Sequence, residues 1–337
     1  MKKFINSYDN MIEEMLSGFV AANSDKVIRL ADRVIARKDI PVKGKVGLVT
    51  GGGSGHKPAL IGYIGKGMLD AVAVGNIFAA PGVQICYDAI KAADSGKGVL
   101  VCIGNYSGDL MNFGMAVDML RDEGHQVEMV IVNDDVASSP VERRENRRGV
   151  AGEIILWKVM GAMAGAGADL QTMKKAGEDI IFNTRSLGVA HSACIMPSSG
   201  KPSFEIGDDE MEIGVGHHGE PGIQRVKMMP ANETTDIIMD KILVDLPFKK
   251  GDDVSVILNG LGSTSLLEMY IIYKRTNDIL AEKGINVYKS WVGEFFTSME
   301  MGGFSITLTR LDENSKKCVD HPVDAVHFMT AEKESKK

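Results

Sequence analysis

Two histidines and one aspartate stand where side chains can do chemistry. His56 closes the run Thr50-Gly51-Gly52-Gly53-Ser54-Gly55-His56-Lys57-Pro58. His218 lies in Gly216-His217-His218-Gly219-Glu220-Pro221-Gly222, and Asp109 ends Gly104-Asn105-Tyr106-Ser107-Gly108-Asp109. A glycine run lets backbone approach a ligand closely. A strand, a glycine turn and a helix N-terminus in succession would aim N–H groups at an oxygen-rich ligand. An imidazole held in an irregular, glycine-bounded loop suits a nucleophile or a general base. Plainer readings stand beside these: the glycines as a tight strand–helix turn, and Asp109 as a helix N-cap. His217 and His218 point to different faces if extended and so chelate poorly. With no H-E-x-x-H present, a metal is not expected. The glycine run spells no nucleotide loop. His56 replaces the last glycine of G-x-G-x-x-G and of G-x-S-x-G, and no Gly-Lys-Ser/Thr follows. His125, His191, His321 and His327 have no such context and read as structural or surface residues.

The elements around these residues alternate. Residues 45–49 read as a buried strand before the glycine run, and 58–63 as the start of a helix after it. Strands follow over 70–74, 98–103 and 127–132, with helices over 83–93 and 110–123 between them. Such alternation gives a mostly parallel sheet, whose ligands gather at the carboxyl ends of its strands. His56, Phe78 and Asp109 then share one rim. Ahead of these, Tyr8, Met11, Ile12, Met15, Leu16, Phe19 and Val20 repeat at helical spacing, with Ser7 as the expected N-cap. The charged stretch 142–148 reads as a solvated loop or a partner contact. Helices are expected over 149–167 and 170–187, and strand character returns over 188–197. A helix near 237–248, a strand over 254–259, a helix over 266–283 and strands over 287–291 and 305–310 complete the chain. Residues 331–337 read as a frayed polar tail. The fold class is α/β, with two α/β domains, each a mostly parallel or mixed sheet flanked by helices. Residues 1–187 hold the glycine loop and Asp109, and residues 188–337 carry the His218 loop.

Two domains also suit 337 residues. A hydrophobic content of 44% and a charged content of 25% are those of an ordinary globular protein. The net charge of −7 argues against nucleic acid as a partner. No apolar run is long enough to cross a membrane, and the first residues lead into polar sequence rather than a signal segment. Cys86, Cys102, Cys194 and Cys318 form no C-x-x-C pair, so disulfides and zinc are not expected. The expected compartment is the cytoplasm.

Four segments together carry a resemblance: residues 51–56, residues 104–109, Arg147-Arg148-Gly149-Val150-Ala151-Gly152, and residues 218–222. In this order they resemble the dihydroxyacetone-binding K subunit of bacterial dihydroxyacetone kinases, over nearly the whole chain. The resemblance implies two α/β domains, a homodimer, and a substrate held covalently as a hemiaminal on a histidine. His218 matches that histidine, His56 the acid/base residue of the glycine loop, and Asp109 the carboxylate near the reacting hydroxyl. Gly53 matches a backbone position that contacts substrate, and Ser54, Gly55 and Phe78 line the same pocket. A covalent hold suits a small substrate, because a ligand of about six heavy atoms is capped near about 9 kcal/mol of non-covalent affinity.

The chain stops about where the K region should stop, before the nucleotide domain of the fused ATP-dependent kinases. It therefore resembles the split, phosphoenolpyruvate-dependent type. That type implies a separate L subunit carrying ADP and magnesium, recharged by a phosphotransferase-system M subunit, and no cofactor in this chain. The sequence departs from the family pattern at Gly104, where lysine is usual, at Lys57, where glutamate is usual, and at Ala80, where serine is common. Those positions point to two alternatives: a kinase subunit for a related small ketose, or a non-catalytic paralogue that senses dihydroxyacetone and co-activates a transcription regulator.

Overall fold

The computed structural model describes residues 3–331. Of the expected polar tail only Ala331 falls inside that range. The chain opens with helix α1 (Met11–Ala22), the strands β1 (Val27–Ala31) and β2 (Val34–Arg37), then β3 (Gly47–Gly52), β4 (Gly65–Lys66) and β5 (Ala71–Val74). There follow α2 (Val83–Ala93), β6 (Val99–Gly104), α3 (Ser107–Asp122), β7 (Val127–Val132), α4 (Gly152–Gly165) and α5 (Leu170–Phe182). The second half begins with β8 (Thr184–Ser192), β9 (Glu210–Ile213), β10 (Gln224–Lys227), α6 (Ala231–Asp245) and β11 (Asp253–Gly260). It closes with α7 (Leu266–Glu282), β12 (Asn286–Gly293), β13 (Gly302–Leu311), α8 (Glu313–Asp320), β14 (Val323–Ala325) and β15 (Met329–Thr330).

The first sheet has the order β1-β2-β5-β3-β6-β7. Its strands β5, β3, β6 and β7 are parallel, and β1 and β2 add an antiparallel edge. Strands β3, β5 and β6 are buried at every residue, as parallel strands covered on both faces must be. Val99, Val101 and Ile103 of β6 pack with α2 and α3, while Leu100 and Cys102 face α4 and α5. The second sheet, β10-β9-β8-β13-β11-β12, is mixed: only β11 and β12 are parallel. Helices α6 and α7 cover its apolar face. Its other face meets α4 and α5, so α4 lies between the two sheets and is buried nearly all round, which is why its sequence is apolar on every side.

Several expectations shift. Residues 58–63 do not start a helix; one 3₁₀ turn, Ile61–Tyr63, lies there. The helix expected over 170–187 ends at Phe182, and β8 begins at Thr184, three residues before the expected boundary at Leu187. After α8 the chain returns to the first half, where β14 pairs with β4. Ser7 does not cap α1: its hydroxyl accepts from the N–H of Asn10, which itself stands at the N-cap. Arg147, expected in a solvated stretch, is 1% exposed. Its guanidinium donates to both Asp245 oxygens at 2.8 and 2.5 Å, and Arg185 binds the same carboxylate. This fork geometry fixes the loop before α4 to the end of α6.

Candidate active site

His56, Phe78 and Asp109 follow the carboxyl ends of β3, β5 and β6, three neighbouring parallel strands. The glycine run is shaped by Phe78 rather than by a helix N-terminus. A Cβ on Gly55 would lie 2.0 Å from the Phe78 ring, and one on Gly53 would lie 2.9 Å from the Phe78 backbone. Phe78 itself has φ 52°, a conformation that costs a bulky residue energy and marks a site held by its surroundings. Ser54 ties the two loops together: its hydroxyl donates to the Gly75 carbonyl at 2.6 Å and its N–H to that of Asn76 at 2.9 Å.

His218 arrives from the other half, in the loop after β9. Gly219 has φ 85°, which favours glycine and turns Glu220 back under His218. Glu220 accepts from the His218 ring Nδ1 at 2.7 Å and from its backbone N–H at 2.9 Å. Nδ1 of His218 is therefore a donor, and Nε2 is its reactive nitrogen. That Nε2 lies 3.2 Å from Nε2 of His56. The other ring nitrogen of His56 donates to the Thr297 carbonyl at 2.7 Å. Burial, then the neighbouring His218 and His217 rings, hold His56 well below the usual histidine range. His56 is thus the acceptor in the contact. The rings of Phe78 and Tyr106 lie 5.0 Å from that of His218, and Phe296 lies 5.1 Å from that of His56.

His217 does not join this pair. Its ring stacks on Phe296 at 4.5 Å, both its nitrogens lack partners, and burial pushes it down to about 3. It packs as a neutral ring beneath His56. Asp109 sits in the first turn of α3, but no side-chain hydrogen bond caps that helix. Its Oδ1 is buried without a partner. Burial raises its carboxyl to about 7, with the His218 charge pulling the other way. A carboxyl poised near neutrality suits a general base. Burial opposes the charge on Glu220, yet the hydrogen bonds from His218 hold it down to about 2. Lys57 is lowered to about 8 by burial, and its ammonium donates to the Ala59 carbonyl at 3.5 Å. Ala80 stands against Gly108, one residue before Asp109.

The segment from Arg147 to Gly152 completes the arrangement. Asn105 donates to the Arg147 carbonyl at 2.7 Å, and Asp134 accepts from the N–H groups of Val150 and Gly152 at 2.8 Å each. Arg148 binds Asp135 at 2.7 Å and reaches to 4.0 Å from Glu220. Glu220, Arg148, Tyr106, Phe296 and Thr297 went unread as site residues. Glu220 could have been found, since it stands two residues from His218. Thr297 and Phe296 carry no local signal. Among the described residues no cluster of three His, Cys, Asp or Glu side chains converges to hold a metal, and no helix is long and apolar enough to cross a membrane.

The Dak1 domain pattern matches residues 17–327. The chain belongs to the Dak1 family. This Dak1 chain is 44% identical, over 97% of its length and 99% of the relative's, to the dihydroxyacetone-binding subunit DhaK of PTS-dependent dihydroxyacetone kinase 2 from Listeria innocua. The native dihydroxyacetone kinase of C. freundii has the same fold, with a TM-score of 0.90 at 33% identity. The match covers 98% of this chain and 60% of that one. The dihydroxyacetone kinase operon co-activator Dha-DhaQ matches with a TM-score of 0.89 at 31% identity, over 94% of this chain and 98% of that one.

Proposed function

We propose that this protein is the substrate subunit of a phosphoenolpyruvate-dependent dihydroxyacetone kinase. It holds dihydroxyacetone as a hemiaminal on His218 and presents a terminal hydroxyl to a phosphoryl donor. The observation that carries this reading is the pair of facing Nε2 atoms, 3.2 Å apart, with each Nδ1 anchored elsewhere. His218 starts protonated at both ring nitrogens, its charge paired with Glu220; as His56 accepts the Nε2 proton, the freed lone pair adds to the ketone carbon. The carbonyl π pair moves onto oxygen, which takes the proton back from His56. The adduct keeps its Nδ1–H and remains paired with Glu220. Asp109 then accepts the proton of the terminal hydroxyl as that oxygen attacks phosphorus, and positioning supplies much of the rate. The phosphoryl donor resides on a separate L subunit that carries ADP and magnesium and is recharged by an M subunit. This chain works as a homodimer with no nucleotide of its own.

The test is a reconstituted assay with L and M subunits and phosphoenolpyruvate, scored by dihydroxyacetone phosphate. Asp109→Asn is expected to lower turnover by about 10²–10⁴-fold while leaving adduct formation intact. Unchanged turnover in that variant would return Asp109 to a structural role. A second reading, a ligand sensor for a transcription regulator, draws on the likeness to the operon co-activator and on Gly104, which offers no cation to a transferring phosphoryl group. Ketose binding without transfer, beside a relay that charges a known K subunit, is the result that favours the sensor.

A further inference from the structure

Arg148 takes no part in the proton movements proposed above. Its backbone belongs to the first half, in the stretch between β7 and α4. Its side chain crosses to the second half. Nε donates to Asp135 Oδ2 at 2.8 Å, and Nη2 lies 2.7 Å from the same oxygen. Nη2 also donates to the Gly214 carbonyl at 3.0 Å, at the start of the loop that carries His218. Nη1 reaches to 4.0 Å from Glu220 Oε2. Asp135 is buried and fixed in turn. Its N–H donates to the Arg148 carbonyl at 3.1 Å, and its Oδ1 accepts from the Ala137 N–H at 3.0 Å. Gly216 leaves room for the two charges to approach, since a Cβ there would run into both Glu220 Oε2 and Arg148 Nη1.

Glu220 accepts from the ring and the backbone of His218, so its negative charge favours the doubly protonated ring. Around His218 stand His217 and Glu220 of its own loop, and His56, Tyr106, Asp109 and Arg148 of the first half. Arg148 is the fixed cation among them, because a guanidinium does not give up its proton in a protein. A positive charge beside Glu220 offsets the hold of that carboxylate on the imidazolium. We infer that Arg148 is a positioning residue for His218: it ties the nucleophile's loop to the first half and, through Glu220, keeps the Nε2 proton transferable to His56. This rests on the covalent ketose reading proposed above.

The experiment uses the full chain and dihydroxyacetone labelled with ¹³C at its carbonyl carbon. Exchange between free ketone and bound adduct is followed by NMR from acid to alkaline pH. The rate should fall at high pH, as the proton shared by the two facing Nε2 atoms is lost. In Arg148→Gln the plateau rate should drop about tenfold and the high-pH fall should move upward, because Glu220 then holds that proton harder. Arg148→Lys keeps the charge and should leave the fall in place. Asp135→Asn is nearly isosteric and removes the anion that offsets Arg148, so it should move the fall downward. That variant decides the question if Arg148→Gln does not fold, since a damaged loop would not reverse the direction. In a Glu220→Gln background, Arg148→Gln should cost no more than about threefold. The inference is overturned if the fall stays put in Arg148→Gln, if Arg148→Lys moves it as far as glutamine does, if Asp135→Asn does not move it downward, or if Arg148→Gln costs the same with and without Glu220. If wild type forms no adduct, the covalent reading falls and takes this one with it. An adduct whose pH profile ignores Arg148 removes this inference alone.

Discussion

Asp109 binds its proton more tightly in the folded chain than in the unfolded one. Burial lifts it from 3.8 to about 7, against the opposing pull of His218. Between those values the folded state keeps a proton that the unfolded state has released. Stability from this group is therefore present below about pH 4 and is lost as pH rises through about 7. Asparagine stays neutral throughout, so Asp109→Asn is expected to be more stable than wild type at pH 8 by up to about 4 kcal/mol, and close to it at pH 4. Urea unfolding at the two pH values reads the difference; equal stability at pH 8 would show a well-solvated carboxylate. The ionised form that the proposed general base requires is thus the form that burial disfavours in the fold. At this scale the sequence singled out His56, Asp109 and His218, because each stands in a glycine-rich loop outside the periodic elements. Thr297, which fixes the His56 tautomer from 241 residues away, gave no such signal.

The glycine run serves the neighbouring loop as much as any ligand. A methyl carbon at position 55 would lie 2.0 Å from the Phe78 ring. Gly55→Ala therefore has to displace Phe78, which packs against both His56 and His218. The variant is expected to lose about 1–3 kcal/mol of stability and to form the ketose adduct more slowly. Gly18→Ala is the control: α1 leaves nothing within 4 Å of that position, and alanine there should stabilise by about 0.5–1 kcal/mol. Thermal unfolding beside adduct kinetics separates the two; a Gly55→Ala that matches the control would mean that Phe78 does not set the site. The parallel strands β3, β5, β6 and β7 were legible as short apolar runs closed by small residues. The antiparallel strands β1 and β2 were not, since a short, fully buried strand such as Val34–Arg37 lacks the alternation that would announce it. The helix expected over 58–63 failed for a related reason: a run that short cannot separate a helix from a single turn.

Neither half of the molecule holds the site alone. His56 and Asp109 stand on the first sheet, while His218, Glu220 and Thr297 come from the second half. The two meet because α4 and α5 lie between the sheets, and because Asp245 of α6 is gripped by Arg147 and Arg185. Such long-range contacts are invisible to local pattern; only the order of the four segments carried them, through the family resemblance. The central claim is that this meeting makes His218 Nε2 a nucleophile towards a ketone. Dihydroxyacetone labelled with ¹³C at its carbonyl carbon tests it by NMR. On wild type the ketone resonance should give way to a protein-bound, tetrahedral carbon signal in stoichiometric amount, and His218→Ala, folded by the same spectrum, should leave the ketone unchanged. A tetrahedral adduct that persists in His218→Ala, or a bound ligand that stays a free ketone on wild type, would contradict the account.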